Sequence, residues 1–244
     1  KQLMLLYGKS DIGLVRRSNQ DRFAYGELPG EGAWLVVCDG MGGANGGNVA
    51  SKIAVEKISW QFKSTYWRNI SSDGIKNIII TAIYNANRAI YQQAQSDPSL
   101  RGMGTTVVAA IVREGHVYLA HAGDSRAYLA SGSKLTRVTT DHSIVQELVN
   151  RGDITEEEAR VHPQKNIITR VLGVEPTVEI DYQELEILSG DCLLLCTDGL
   201  TNYVEEADIL KLASQSPEEC CEVLISMAKD SGGGDNVTIA AVKY

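Results

Sequence analysis

The chain lacks the cysteine spacing of a zinc site or a disulfide framework. Its five cysteines are an odd number, and no two of them form a C-x-x-C pair. They lie inside apolar runs or in a predicted helix, at Cys38, Cys192, Cys196, Cys220 and Cys221. Such cysteines behave as small apolar core residues, and the reduced state is typical of cytosolic proteins. The cysteines therefore predict core packing and a cytoplasmic location, not a metal or redox role.

The chain also lacks a long apolar run, a leader-like first segment and an excess of positive charge. No stretch approaches the roughly 18 apolar residues that span a bilayer, and no basic segment followed by an apolar one opens the sequence. The net charge of −8 and the pI near 5.1 disfavour a nucleic-acid partner, because binding to phosphate backbones depends on clustered Lys and Arg. We expect no membrane insertion and no nucleic-acid binding.

Neither an internal repeat nor a linker rich in Pro, Gly and Ser divides the 244 residues, so we expect one domain over residues 1–244. Runs typical of β-strands occur at 3–7, 34–38, 105–112, 117–122, 126–130, 193–196 and 237–242. The runs at 105–112, 117–122 and 126–130 are separated by short turns, which favours hairpins and a meander.

Helices are fewer and longer than the strands. Apolar residues recur at helical spacing between residues 50 and 62 and between residues 75 and 90. Two later helices begin with the sequence of a capping box, at Thr155-x-x-Glu158 and at Ser216-x-x-Glu219, the second with Pro217 at the first helical position. This mixture predicts an α+β fold in which helices cover the outer faces of a β-sandwich.

Aspartates stand at the ends of four predicted strands. Asp39 and Asp198 each end an apolar run and precede a glycine, Asp124 follows Gly123, and Asp235 stands just before the last strand. A single Asp-Gly is a common turn, but four aspartates at strand ends indicate convergence at one site. Clustered carboxylates repel one another unless a cation lies between them. Oxygen ligands without paired His or Cys favour Mg²⁺ or Mn²⁺ over zinc.

Other phosphate motifs do not fit the same glycines. Gly40-x-Gly42 begins like a dinucleotide fingerprint, but Asn45 stands where its third glycine belongs. Gly8-Lys9-Ser10 resembles the end of a P-loop, but residue 3 is Leu3 instead of its first glycine. A phosphatase with an aspartyl nucleophile at Asp39 would need a second Asp two residues later, where this chain has Met41.

Seven short motifs, in order along the chain, resemble those of the metal-dependent protein phosphatases of type 2C, in the bacterial branch. They are RRSNQD at 16–21, VCDGMGG at 37–43, GMGTT at 102–106, GDSR at 123–126, TDH at 140–142, TDG at 197–199 and GDN at 234–236. The resemblance runs from about Gly8 to Val242. It implies a four-layer α-β-β-α sandwich of two antiparallel sheets flanked by helices, with a binuclear metal centre at one edge.

The resemblance also implies roles for individual residues. Asp39 would bridge two metal ions, with Asp198 and Asp235 completing the first. The Gly40 carbonyl and Asp21, through water, would hold the second. Asp124 would join Asp198 at a third, weaker ion. Arg16 would bind the substrate phosphate, for which a planar guanidinium is suited, although a plain surface arginine is the alternative.

The implied reaction is direct attack on phosphorus by a hydroxide that bridges the two metal ions, without a phosphoenzyme. Family members often place a histidine close after the bridging aspartate as an acid for the leaving oxygen. Here those positions are Met41 and Ala44, so the acid is unassigned. Residues 141–173 correspond to a flap beside the site. His142 at its start is open to a structural or a catalytic role, and His162 to a surface role or substrate contact.

Two function classes remain from the sequence. The first is an active phosphatase for phosphoserine and phosphothreonine in proteins, opposing Ser/Thr kinases in a bacterial cytoplasm and acting as a monomer. The second is a catalytically weak member of the same fold that serves as a binding or regulatory module. The chain retains all five acidic positions, which favours the enzyme.

Overall fold

Two antiparallel β-sheets pack face to face and carry helices on their outer faces in this computed structural model, which describes residues 3–244 apart from the side chain of Ala44. The strands are β1 (Leu5–Asp11), β2 (Asp21–Leu28), β3 (Gly32–Met41), β4 (Gly104–Thr105), β5 (Val107–Arg113), β6 (His116–Ala122), β7 (Arg126–Ser131), β8 (Lys134–Arg137), β9 (Asp181–Glu186), β10 (Cys192–Cys196) and β11 (Val237–Lys243). The helices are α1 (Gly43–Thr65), α2 (Ser72–Ser96), α3 (Ile144–Asn150), α4 (Glu156–Val161), α5 (Asp198–Thr201), α6 (Glu206–Ala213) and α7 (Pro217–Asp230), with a 3₁₀ turn at Pro98–Leu100.

The strand order is β1-β11-β10-β7-β8 in one sheet and β2-β3-β5-β6-β9 in the other, where β4 also pairs with β3. Strand β3 illustrates why both sheets are buried. Its residues Leu35 and Val37 face the core between the sheets, whereas Val36 and Cys38 face the core beneath α1 and α2. A strand covered on both faces needs apolar residues at every position, which explains the unbroken run of β3.

The predicted α+β sandwich with outer helices is confirmed. Helices α1 and α2 cover one sheet, and α5, α6 and α7 cover the other. Thr155 forms the predicted capping box with Glu158. Ser216 caps α7 by accepting a hydrogen bond from the Glu219 N–H, but of these two helix starts only the first has the reciprocal bond of a full box.

The predicted meander is wrong. Strands β5 and β6 form a hairpin, but β7 pairs with β10 and β8 in the opposite sheet. The chain crosses between the sheets at residues 123–125, where Gly123 has a φ of +114°. Short apolar strands do not indicate their partners, so the sequence could not reveal this crossing.

Strands β2, β8 and β9 were not predicted, because they contain many polar residues and few buried positions. The first predicted strand is displaced, since β1 runs from Leu5 to Asp11, and His116 opens β6 instead of lying in a turn.

All five cysteines are buried and free, which confirms the prediction of core packing. Burial raises the pKa of the Cys192, Cys196 and Cys220 thiols to about 12. The thiols are therefore protonated and unreactive at neutral pH. None of the helices in the described part of the chain has the length and apolar character needed to cross a membrane.

Candidate metal centre and active site

The predicted acidic site forms where β2 and β3 pair at one edge of the sandwich. Asp21 lies directly opposite Asp39 in the β2–β3 register. The Asp39 N–H donates to Thr106 Oγ1 at 2.9 Å, and the Thr106 N–H donates to the Asp39 carbonyl at 2.9 Å. These two bonds fix the backbone of Asp39, so its carboxylate is held on a rigid strand end.

Asp21 is buried, and two threonine hydroxyls contact one of its two oxygens. Thr197 and Thr238 donate to Asp21 Oδ2 at 2.9 and 2.6 Å. Asp21 Oδ1 is buried without any partner. Burial, together with repulsion from Asp198 and Asp235, raises the pKa of Asp21 to about 7 in spite of the two hydroxyl bonds. No group of the described residues therefore satisfies Asp21 Oδ1.

Asp198 begins the short helix α5 directly after β10. Asn202 Nδ2 donates to Asp198 Oδ2 at 3.3 Å, whereas Asp198 Oδ1 is buried and unpartnered. Asp124 follows the sheet crossing and has the same feature, a buried Oδ1 without a partner. Burial and then repulsion from Asp198 raise the pKa of Asp124 well above its usual range.

Asp39 is the electrostatic centre of the group. Burial raises its pKa well above the usual range, and repulsion from Asp21, Asp198, Asp124 and Asp235 adds to the effect. Five carboxylates thus lie within electrostatic range of one another. Clustered acids with unpartnered buried oxygens are costly unless a cation binds them. This donor set, all oxygen, fits hard divalent ions such as Mg²⁺ or Mn²⁺.

Close backbone packing explains the glycines that follow Asp39 and Asp198. A Cβ on Gly40 would lie 2.0 Å from the Gly47 carbonyl oxygen, and a Cβ on Gly199 would lie 1.8 Å from the Asn236 carbonyl oxygen. Both distances are far inside van der Waals contact, so neither turn accepts a side chain. The glycine after each aspartate lets a second backbone segment pack closely beside it: Gly47 of α1 beside Gly40, and Asn236 beside Gly199.

A cleft of about 530 Å³ opens onto this cluster. Its lining includes Arg16 and Asp235, together with Asn166, Ile168 and Val171 of the 141–173 segment. Arg16 Nη2 donates to Asp235 Oδ2 at 2.9 Å, and the Arg16 side chain is 56% exposed. A guanidinium at the mouth of an acidic cleft is placed to contact an anion that enters it.

Asp124 lies apart from this cleft. It lines a neighbouring cavity of about 380 Å³, and Asp198 lines both cavities. Asp198 therefore separates Asp124 from Asp39 and Asp235.

Several residues that support the site received no role from the sequence. Thr106, Thr197 and Thr238 bond to Asp39 or Asp21, and the Thr106 hydroxyl also contacts Ser125 Oγ at 2.7 Å. Asn236 receives the Gln20 N–H at 3.0 Å and donates to the carbonyls of Ile12 and Ser18, which brackets the loop carrying Arg16. Four of these residues stand inside the recognised motifs, at GTT, TDG, GDSR and GDN, and that was the only available signal.

The four histidines lie away from the cleft. His121 and His142 are buried, His116 is exposed, and His162 Nδ1 accepts a local bond from the Gln164 N–H at 3.1 Å. Met41 lines the cleft, whereas the side chain of Ala44 lies outside the described part of the structure. The described cleft lining contains no His, Lys, Tyr or Cys.

Asp141 anchors the start of the 141–173 segment. Arg126 donates to it from Nε at 3.0 Å and from Nη2 at 2.9 Å, and Arg137 Nη2 lies 3.0 Å from Asp141 Oδ1. Burial alone would raise the pKa of Asp141, but the two guanidinium groups outweigh it and lower the pKa below its usual range.

We expect Asp141→Asn to destabilise the protein by about 3–5 kcal/mol at pH 7, because breaking a buried ion pair leaves an uncompensated charge. A carboxyl with a depressed folded pKa stabilises the fold above its unfolded pKa and loses that effect as the pH falls through the folded value. The difference in Tm between variant and wild type should therefore shrink below about pH 4. Glu205→Gln, which breaks the exposed pair with Arg160, is the control and should change little. An equal Asp141→Asn effect at pH 7 and pH 3 would contradict the ion-pair explanation.

A four-layer sandwich that gathers five carboxylates and an arginine at the edge of its sheets defines a metal-dependent phosphatase. The chain belongs to the protein phosphatase 2C family, whose sequence model matches residues 15–229. A serine/threonine phosphatase from Listeria welshimeri is 41% identical over 238 residues, covering 96% of this chain and 94% of that protein. The protein phosphatase PhpP of Streptococcus pneumoniae is 34% identical, with the same coverage.

Solved structures give the same result. The serine/threonine phosphatase Stp1 from Staphylococcus aureus superposes with a TM-score of 0.93 at 36% identity, covering 100% of this chain and 96% of that one. The catalytic domain of the phosphatase PstP in complex with two manganese ions superposes with a TM-score of 0.86 at 34% identity, covering 99% and 98%. The family, the fold and the enzyme class predicted from the sequence are confirmed.

Proposed function

We propose that this protein hydrolyses phosphoserine and phosphothreonine in proteins, with two divalent metal ions at the acidic cluster. The observation that carries the proposal is the set of buried, unpartnered carboxylate oxygens on Asp21 and Asp198, beside a cleft that Asp39, Asp198 and Arg16 line. The proteins with similar sequences and structures are serine/threonine phosphatases, which supports the substrate class.

The residues have separate tasks in this proposal. Asp39, Asp198 and Asp235 would hold the first ion, and Asp39, Asp21 and the Gly40 carbonyl would hold the second. Asp124 and Asp198 would hold a third, weaker ion. Bound there, divalent ions would make hydroxide available near neutral pH and neutralise charge on the phosphate. The protein supplies the fixed carboxylates, and Arg16 orients the phosphate within the cleft.

A crystal soaked in Mn²⁺ tests these assignments directly. Anomalous peaks are expected beside Asp39, with Asp198 and Asp235 at one and Asp21 near the other. A map with no peak in contact with Asp39 would overturn the binuclear assignment. The catalytically weak alternative predicts bound metal without turnover of a phosphothreonine peptide, so the same Mn²⁺-loaded protein assayed on that peptide separates the two functions.

Arg16→Ala is expected to raise KM for phosphate monoesters more than it lowers kcat. The lost contact binds phosphate in the ground state as well as in the transition state. A charged hydrogen bond is worth about 1.5–3 kcal/mol, so kcat/KM should fall about 10- to 100-fold. Steady-state kinetics and inhibition by inorganic phosphate provide the measurement.

Arg17→Ala is the matched control, because Arg17 lines the same cleft and has no ion pair in the described part of the chain. Unchanged inhibition by phosphate in Arg16→Ala would remove Arg16 from the phosphate site.

No histidine lines the described part of the cleft, and this has its own consequence. With Met41 in the cleft, departure of a serine alkoxide lacks help from a histidine, whereas nitrophenolate leaves without it. We expect kcat to fall steeply as the leaving-group pKa rises. Met41→His should flatten that slope by accelerating alkyl phosphates within the roughly 10²–10⁴-fold range of general acid catalysis. A Brønsted series of aryl and alkyl phosphates at saturating Mn²⁺ measures both slopes.

Met41→Leu controls for the loss of the methionine itself. A shallow slope in the wild type would reveal a working acid, and His162 in the 141–173 segment would be the next residue to replace.

We also propose the substrates, oligomeric state and location of the protein. The substrates are phosphoproteins made by Ser/Thr kinases, and the protein acts as a monomer in the cytoplasm. The 141–173 segment serves as a flap subdomain of a single catalytic domain. Its residues Asn166, Ile168 and Val171 line the cleft, which supports contact with the protein substrate.

A further inference from the structure

His142 makes two hydrogen bonds to one residue, Gly123, at the sheet crossing. The backbone N–H of His142 donates to the Gly123 carbonyl at 3.0 Å. The backbone N–H of Gly123 donates to the ring nitrogen Nδ1 of His142 at 3.0 Å. On its other side, a Cβ on Gly123 would lie 2.7 Å from the Thr106 side chain. The turn is therefore held between Thr106 and His142, and Asp124 is the next residue.

The far side of the His142 ring is also engaged. Nε2 lies 2.8 Å from Asp181 Oδ2, and Arg170 Nη1 donates to Asp181 Oδ1 at 2.8 Å. A backbone N–H can only donate, so Nδ1 is the acceptor and the ring proton is on Nε2, where it is donated to Asp181. This tautomer satisfies both ring nitrogens and is the one that Asp181 selects. Arg170 Nη1 also lies 3.1 Å from Nε2, but both atoms carry protons in this tautomer, so this contact is not a hydrogen bond and Arg170 pairs with Asp181 instead.

His121 stacks on His142 with ring centroids 4.5 Å apart and an interplanar angle of 8°. With Asp181 these rings form a group of potential metal ligands, but the geometry argues against chelation. Imidazole lone pairs lie in the ring plane, and one ion cannot lie in two parallel planes. Arg170 already supplies a cation to Asp181. The stacked pair therefore has a packing function.

His142 also joins the turn to residues 168 and 169, near the far end of the 141–173 segment. The His142 carbonyl accepts the Thr169 N–H at 2.9 Å, and the neighbouring Ser143 forms an isolated β-bridge with Ile168. Ile168 lines the catalytic cleft. One residue thus connects the backbone before Asp124 with a wall of the cleft.

We propose that His142 is a positioning residue that fixes Asp124 for the third, weaker ion and links that site to Ile168 in the lining of the catalytic cleft. The inference rests on the proposed role of Asp124 as a ligand. Residues that orient metal ligands typically change metal affinity by about 10- to 100-fold when they are replaced.

Two substitutions test the two ring nitrogens of His142 separately. Asn places an amide oxygen near the position of Nδ1, so His142→Asn can keep the acceptor for Gly123 and lose the bond to Asp181. Gln reaches the position of Nε2, so His142→Gln keeps the bond to Asp181 and loses the acceptor for Gly123. Asp181→Ala removes the orienting carboxylate at a half-exposed position. Circular dichroism and Tm verify that each variant is folded.

The measurement is Mn²⁺ binding by isothermal titration calorimetry on the whole chain, with Asp124→Ala as reference. His142→Gln should weaken the weakest Mn²⁺ site about 10- to 100-fold and leave the two tighter sites unchanged. His142→Asn should restore most of that affinity, and Asp181→Ala should show a smaller loss. Equal affinities in wild type and His142→Gln would overturn the inference, as would equal losses in the Gln and Asn variants. If His142→Gln does not fold, an unchanged weak site in Asp181→Ala overturns it.

Asp124→Ala tests the proposed role of Asp124 separately from that of His142. Loss of one Mn²⁺ in Asp124→Ala supports the assignment of that ligand, whatever the histidine variants do. Full Mn²⁺ stoichiometry in Asp124→Ala would overturn the role of Asp124, and the inference about His142 would fall with it.

Discussion

Asp39→Asn is expected to lower kcat by several orders of magnitude while the protein remains folded. Asparagine keeps the shape of the side chain, and the two backbone bonds between residue 39 and Thr106 do not depend on the carboxylate. The variant loses the one charge that interacts with all four other aspartates of the cluster. On the proposed assignment, Asp39 would serve both ions, and a neutral amide is a weaker ligand for divalent ions than a carboxylate, so both sites would be weakened at once.

The same substitution should not destabilise the metal-free protein. Removing a buried charge from a cluster of like charges relieves repulsion and a desolvation cost, so the Tm in EDTA should be equal to or above that of the wild type. Steady-state kinetics at saturating Mn²⁺ test the expected loss of kcat, and thermal unfolding in EDTA tests the expected Tm. Asp230→Asn, at the exposed end of α7, is the matched control. Near-wild-type turnover in Asp39→Asn would rule out the bridging role.

Exhaustive removal of divalent metal is expected to abolish phosphatase activity and to lower the Tm. The carboxylates of Asp21, Asp124 and Asp198 have buried oxygens with no partner, lysine or arginine included, among the described residues. Mn²⁺ or Mg²⁺ should restore the activity. A ligand at 100 times its Kd stabilises the folded state by about 2.7 kcal/mol, which is large enough to shift Tm by several degrees.

Thermal unfolding with increasing Mn²⁺ after EDTA treatment and dialysis measures the effect, with activity on a phosphothreonine peptide measured in parallel. Asp39→Asn provides the internal control, because its Tm should respond much less to the ion. Activity that survives chelation and does not increase on addition of Mn²⁺ or Mg²⁺ would falsify the proposed metal dependence.

The sequence by itself determined the local features of this protein. Helical periodicity located α1 and α2, and Thr155 and Ser216 marked two helix starts, because capping and periodicity depend on residues a few positions apart. Apolar runs ending in aspartate located β3 and β10. Charge repulsion between the aspartates led to a metal site, and the ordered motifs led to the family.

Only the tertiary structure decided how distant segments meet. Strand β2, which carries Asp21, has too few apolar residues to be recognised without its neighbours, and the crossing at Gly123 depends on sheet packing. Arg16 meets Asp235 across 219 positions of the sequence, and His142 meets Asp181 across 39. Pairings of this kind arise from the closure of two sheets around one core, since local propensity acts only on residues close in sequence. The sandwich thereby brings the five aspartates together and holds each of them at a fixed strand or helix end.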